Sequence, residues 1–283
     1  MSRFTLSLIL LAAMAASVSS SATEWLYMPA EWGSTTVHGF QDDFSSGSLN
    51  PAWTLAGSPA FTLDTTNGLL KVHNVAGDPN HLLYIPRDGG GDLIDYTGGT
   101  QEVLMRIRVT AFAYDQSQGP RGGPAVAVNT TDSRGINLHF QAATNNGDGT
   151  GLGKFSLLND QVAWGPDLSR DGQQVRWDPN EWYWLRLEYK DGVASAKAWL
   201  ADGQTPEPLA WDTTWTPESR VGWAGIAATS GALAEFDVDY ILIKSAKLDL
   251  ITVGGKLTSA IPEPATMSLL ALGGLALLRR KRA

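Results

Sequence analysis

The stretch EWYWLRLEYKDGVASAKAWLA, residues 181–201, decides the fold. Two runs rich in aromatic, aliphatic and small residues flank Asp191-Gly192, a strong signal for a two-residue type I′ hairpin turn. A turn of that kind fixes the pairing register. Lys190 then stands opposite Val193, Leu187 opposite Ala196, Leu185 opposite Ala198 and Tyr183 opposite Leu200. The last three pairs form an apolar face suited to a core. The other face places Trp184 opposite Trp199, Arg186 opposite Lys197 and Glu188 opposite Ser195. Like charges directly across a ladder cost a little, unless Glu188 or a ligand sits between Arg186 and Lys197. A face that mixes paired tryptophans with charges is not an ordinary core face.

The same period of two extends outward from this hairpin. In GINLHFQ (135–141), Ile136, Leu138 and Phe140 take one side, and Asn137, His139 and Gln141 the other. In EVLMRIRV (102–109), Val103, Met105, Ile107 and Val109 point one way while Arg106 and Arg108 point the other. FTLDTTNGLLKVHN (61–74) reads as a further hairpin, turned at Asn67-Gly68. Short runs of Val, Ile, Phe, Tyr, Trp and Thr alternate with Gly, Asp, Asn and Pro breaks through residues 38–244. No stretch there keeps a helical period for three turns, and no β-α-β signal appears. The expectation is an all-β, antiparallel two-sheet sandwich.

Composition narrows the chemistry. The chain has 283 residues and no cysteine, which excludes disulfides, thiolate metal sites and a cysteine nucleophile. Four histidines are few for a histidine-rich metal site. No Gly-x-Ser-x-Gly elbow, His-Glu-x-x-His pair or phosphate-cradling Gly-Lys-Ser/Thr loop occurs. Asn129-Thr130-Thr131 fits a glycosylation triplet but reads better as strand sequence.

The two ends differ from the body. MSRFTLSLILLAAMAASVSSSA (1–22) has one base, Arg3, an apolar run and then small residues. Ser20 and Ala22 fit a signal-peptidase site, so the mature chain is expected to begin at Thr23. At the other end, IPEPATMSLLALGGLALLRRKRA (261–283) sets fourteen uncharged residues, Ala265 to Leu278, before four consecutive bases, Arg279 to Arg282. The apolar run is marginal for spanning, and the bases orient it with the globular part facing outward. Without both ends, 16 of the 21 bases and 28 of the 29 acids remain, a net charge near −12. That excess argues against nucleic acid as a partner. The resulting division is a signal peptide (1–22), a lead-in (23–37), the sandwich (38–244), a linker (245–260) and the C-terminal segment (261–283).

Pro262-Glu263-Pro264, the apolar segment and the basic tail together resemble the PEP-CTERM sorting signal of Gram-negative bacteria. The resemblance covers about 23 of the 283 residues. It implies transient membrane insertion, recognition of Pro262, Glu263 and Pro264 by an exosortase, and delivery to the outer surface or extracellular matrix. Three further pieces, FQDDFSSGSLNPAWT (40–54), the 181–211 hairpin with its following turn, and EFDVDYILI (235–243), resemble the concanavalin A-like jelly roll, in particular laminin-G-like domains. Members bind glycans or proteins, or accompany polysaccharide-active enzymes, and some are glycosidases. The resemblance therefore implies a glycan-binding or matrix-interaction protein.

Eight of the eleven tryptophans lie between Trp164 and Trp223. Indole stacks on the C–H faces of sugars, while Arg, Asn and Gln pair with hydroxyls. The candidate ligand-binding set is Asn137, His139, Gln141, Trp184, Arg186 and Trp199, unless loop residues such as Trp211 and Trp215 cover the tryptophans. The alternative is a β-glucan-type hydrolase. Glu235-Phe236-Asp237-Val238-Asp239 resembles the carboxylate strand of laminarinase-type glycosidases, with Glu235, Asp237 and Asp239 as candidates, although Asp239 stands where that family has its glutamate acid/base. A competing reading puts Phe236, Val238 and Tyr240 in the core. A third reading is a structural matrix protein without a specific ligand. No cofactor is expected beyond a structural Ca²⁺, which Asp43 with Asp237 or Asp239 could hold; NNGDGTG (145–151) is a weaker calcium candidate.

The sorting reading has a direct outcome. Replacing Pro262-Glu263-Pro264 by alanines should shift the protein from surface material into the membrane fraction, read by immunoblot. Peptides running intact through Leu278 in surface material, seen by mass spectrometry, would rule out release at this motif.

Overall fold

The computed structural model describes residues 36–57, 60–73, 80–112, 121–141, 153–229 and 234–253. The signal peptide, the sorting segment and NNGDGTG lie outside the described residues. The first strands are β1 (Thr36–Asp42), β2 (Trp53–Ala56), β3 (Phe61–Asp64), β4 (Leu69–His73) and β5 (Asn80–Tyr84). Next come β6 (Gln101–Phe112), β7 (Arg121–Asn129), β8 (Arg134–Gln141), β9 (Gly153–Asn159) and β10 (Ala163–Asp167). Three two-residue pieces follow, β11 (Ser169–Arg170), β12 (Gln173–Gln174) and β13 (Arg176–Trp177). The chain continues with β14 (Trp182–Lys190), β15 (Val193–Leu200), β16 (Thr213–Trp215), β17 (Trp223–Thr229), β18 (Ala234–Lys244) and β19 (Leu250–Thr252).

These strands form two antiparallel sheets packed face to face. The first has the order β16-β15-β14-β6-β18-β1-β19, with β4 also against β18 and β3 beyond β4. The second has the order β10-β9-β8-β7-β17-β5-β2, with β13 against β9. The 181–201 hairpin pairs as the turn dictates, from Lys190 opposite Val193 to Tyr183 opposite Leu200. Asp191 and Gly192 both take positive φ, 51° and 83°, as a type I′ turn requires. The 61–74 hairpin differs from expectation. Asp64 pairs with Leu69, so a four-residue loop replaces a turn at Asn67-Gly68. The Asp64 carboxylate accepts from the backbone N–H groups of Thr66 and Asn67 and makes that loop locally self-sufficient.

The inward faces meet in one large core. The first sheet contributes Val103, Met105, Ile107, Leu185, Leu187, Phe236 and Val238, and the second Val126, Ile136, Leu138, Phe155, Leu157 and Ile226. The sandwich is closed by its two ends. Thr36–His38 pair with Leu250–Thr252, so part of the expected 245–260 linker is a strand that alternation in Leu250-Ile251-Thr252 permits.

The first sheet also buries its outer face. Trp184, Trp199, Leu104, Tyr240 and Leu242 form a second apolar cluster, against which Val37, Trp182 and Ile251 pack. The indoles of Trp184 and Trp199 stack with centroids 6.4 Å apart. Tyr240 joins this outer cluster, not the core. A register shift against β6 between Val238 and Tyr240 inserts one residue and turns everything after Asp239 to the opposite face.

Trp184→Ala should therefore cost about 3–5 kcal/mol of stability, the range for deleting a large buried aromatic. Urea unfolding measures this. A loss under about 1 kcal/mol would mean that the outer cluster contributes little, since exposed substitutions sit within that range.

Candidate functional site on the second sheet

The sequence-derived ligand set divides between the two sheets. Trp184, Arg186 and Trp199 lie on the outer face of the first sheet. Asn137, His139 and Gln141 lie on the outer face of the second. They do not form one site. The tryptophan half is closed: Trp184 is 1% and Trp199 2% exposed. The carboxylate between the opposed Arg186 and Lys197 comes from the protein, but it is Glu207 and not the expected Glu188. Glu207 bridges both, at 2.8 Å from each. Glu102 pairs with Arg186 and, at 2.7 Å, with Lys244. The loop after β15 carries Glu207, and its Pro208 carbonyl accepts from Lys197. Trp211 lies over the Lys197 ammonium at 5.0 Å.

The carboxylate strand is likewise occupied. Asp239 pairs with Arg106, and Asp237 with Arg108 at 2.6 Å. Both guanidiniums lie over the Trp182 ring, at 4.3 and 4.7 Å. Phe236 and Val238 fill the core on the other side. Glu235 is exposed, while the two other carboxylates of its strand are taken up by arginines. Asp43 caps its own turn, accepting from the Ser45 hydroxyl at 2.6 Å and the Ser45 amide at 3.1 Å. Among the described residues no group of three or more His, Asp or Glu side chains stands close enough to hold a metal.

The β8 half is different. Three strands, β8, β7 and β17, separate β9 from β5. In a flat sheet, spacings of about 4.8 Å would set them roughly 19 Å apart. Yet His81 Nε2, on β5, is 3.3 Å from Asp160 Oδ2, just after β9. The outer face must therefore be strongly concave. Its floor explains how it can be. Gly123 and Ala125 pair with Ala227 and Gly225 across the two middle strands, so little side-chain bulk opposes the bending. Gly123 has φ +153°, and a Cβ there would stand 2.1 Å from the Leu138 carbonyl oxygen.

Polar groups crowd the walls of this concavity. His81, Asn137, His139 and Asp160 are each 0% exposed. Asn137 Nδ2 and Oδ1, both ring nitrogens of His139, Asp160 Oδ1 and Arg121 Nε make no hydrogen bond among the described residues. An unmet buried polar group costs about 1–3 kcal/mol, so a cluster of them on one face is not what stability alone selects. The open edge carries Trp164, which is 53% exposed. Its ring lies 5.8 Å from that of His139 and 4.3 Å from the Arg121 guanidinium carbon. Beside them, Asp167 accepts from Lys154 at 2.8 Å and from Ser156 at 2.7 Å. The Ser156 hydroxyl also approaches Gln141 Oε1 at 3.3 Å.

Of the residues gathered on this face, the sequence reading names Asn137, His139 and Gln141 and does not name Arg121, Trp164, His81 or Asp160. Trp164 could have been found from its place one short turn after FSLLN, in register with Leu158. The meeting of His81 and Asp160, 79 positions apart, had no local signal.

Burial, followed by the neighbouring charges of Arg121 and Lys154, lowers the His139 pKa to about 3. The unfolded chain protonates His139 near its ordinary 6.5, while the folded chain keeps it neutral. Stability is therefore unaffected above pH 6.5 and falls as pH drops from about 6.5 towards 3. His139→Gln should flatten the pH dependence of urea stability in that window, by up to about 1.4 kcal/mol per pH unit. Parallel profiles for the two proteins would contradict a buried neutral His139.

Comparison with known proteins adds an address. Residues 260–282 match the model of the PEP-CTERM protein-sorting motif. A comparison with curated proteins finds no match. Among solved structures, the chain is similar in shape to Lectin I from Ulex europaeus, solved with the methyl glycoside of α-L-fucose. They share 11% identity and a TM-score of 0.45, over 76% of this chain and 99% of the lectin. The Lotus tetragonolobus seed lectin gives 9% identity and a TM-score of 0.44, over 77% of this chain and 100% of that one. Xylan β-1,4-xylosidase from Bacillus halodurans gives 14% and 0.44, over 72% of this chain, which spans only 39% of the xylosidase. These are similarities of shape alone. The chain is an antiparallel two-sheet β-sandwich that carries a PEP-CTERM motif, the mark of an exported, exosortase-sorted protein.

Proposed function

We propose that this is a surface or matrix protein that binds carbohydrate, without catalysis, on the concave face of the second sheet. The observation that carries the reading is the set of unmet hydrogen-bonding groups of Asn137 and His139, gathered over a Gly/Ala floor and edged by an exposed indole. Polyhydroxylated rings suit such a face. Their C–H faces can stack on the exposed Trp164 and their hydroxyls can pair with the half-buried Gln141, while Asn137 and His139, fully buried, become partners only when the face over them opens. The binding face therefore keeps half of the residues expected from sequence and replaces Trp184 and Trp199 by Trp164. The sorting motif supports a location where polysaccharide is the commonest polymer at hand.

The hydrolase reading is weaker. Asp237 and Asp239 are each engaged by an arginine, Arg108 and Arg106, on the face that a substrate would need.

A glycan-array screen of the purified full-length protein tests the proposal. Wild type should bind a defined subset of glycans, and Trp164→Ala should weaken that binding at least tenfold, whereas Glu235→Gln should leave it unchanged. Absence of binding to every glycan would defeat it, as would sugar release from β-glucans that Glu235→Gln abolishes.

A further inference from the structure

We infer that the sugar bound beside Trp164 is acidic, a carboxylate-bearing uronic acid residue, and that Arg121 receives its carboxylate. This inference rests on the carbohydrate reading and narrows it to a ligand class.

Arg121 opens β7 at the wall of the concavity, opposite Gln141 on β8. Its charge is handled unlike that of four other arginines of the fold. Arg106, Arg108, Arg170 and Arg186 each have a carboxylate within 2.8 Å. Arg121 makes no ion pair or hydrogen bond among the described residues. Its contact is the Trp164 ring at 4.3 Å. Burial accordingly pulls its pKa down, against the opposing but more distant charge of Asp160. A desolvated guanidinium without a counter-charge is costly, and its planar fork suits a carboxylate above all.

The neighbours fit the rest of such a sugar. Lys154 and Asp167 neutralise one another at 2.8 Å, so neither competes for nor repels the ligand's charge strongly. Gln141, half-buried and opposite Arg121 on the neighbouring strand, suits a ring hydroxyl. Trp164 presents the indole face not covered by Arg121. The body's net charge near −12 would repel a polyanion at long range, but screening confines that effect to about 8 Å at physiological salt, whereas the Arg121 contact is direct.

Polygalacturonate, alginate and hyaluronan, each beside its methyl-esterified form, separate the possibilities when tested against the full-length protein by affinity electrophoresis, with neutral glucans and galactans alongside. The esterified polymer keeps the backbone and loses the charge. At least one acid polymer should bind tenfold or more tightly than its ester. Arg121→Gln should abolish that preference, Arg121→Lys should retain part of it, and Trp164→Ala should weaken acid and ester forms together. Equal affinity for acid and ester forms, or binding to neutral polymers only, would overturn the acidic-sugar inference and leave the carbohydrate reading standing. A preference that survives Arg121→Gln would overturn the role of Arg121. Binding to none of the polymers would overturn both readings.

Discussion

Both sheets of this sandwich bury both of their faces, and most of the chemistry in the chain answers to that constraint. A sandwich needs one shared apolar layer. Here the first sheet carries a second layer around Trp184, Trp199 and Tyr240, and the second sheet closes over a concave face at His81, Asn137 and His139. Charged residues placed outward by alternation cannot then rely on water. They must find partners within the protein or meet a ligand.

The two sheets resolve this in opposite ways. On the first, each outward guanidinium of β6 and β14 has a carboxylate. Arg106, Arg108 and Arg186 meet Asp239, Asp237 and Glu102, and Trp182 covers two of the three. Breaking such buried pairs typically costs about 3–5 kcal/mol because a charge is left alone, so these residues serve the fold. On the second sheet Lys154 has Asp167, but not every polar group is matched. Arg121 stacks on an indole, and Asn137 makes no side-chain hydrogen bond. The two faces thus differ in where their guanidinium charges go, to carboxylates on the first and to an indole on the second.

Alternation itself was legible throughout. The inward and outward sets of β6, β8, β14 and β15 follow from a period of two, and the Asp191-Gly192 turn fixed the register of β14 and β15 residue by residue. Two kinds of information were not. The bulge at Asp239 moved Tyr240 to the outer cluster, because an extra residue in one strand leaves no mark on composition. The outward faces of β8 and β14 looked like parts of one surface, since each mixes aromatic or polar residues with charge, yet the strands belong to different sheets.

By itself, the sequence determined the strand content, the hairpin register, the absence of thiol chemistry and the sorting address at 260–282. These rest on local patterns: turn chemistry, side-chain alternation and a contiguous signal. Only the tertiary structure decided which strands share a sheet, which tryptophans are covered, which carboxylates are paired and where the sheet bends. Those depend on contacts between residues far apart in the chain, such as His81 with Asp160 and Arg106 with Asp239, and on small residues at Gly123, Ala125, Gly225 and Ala227 whose effect appears only when two strands lie side by side.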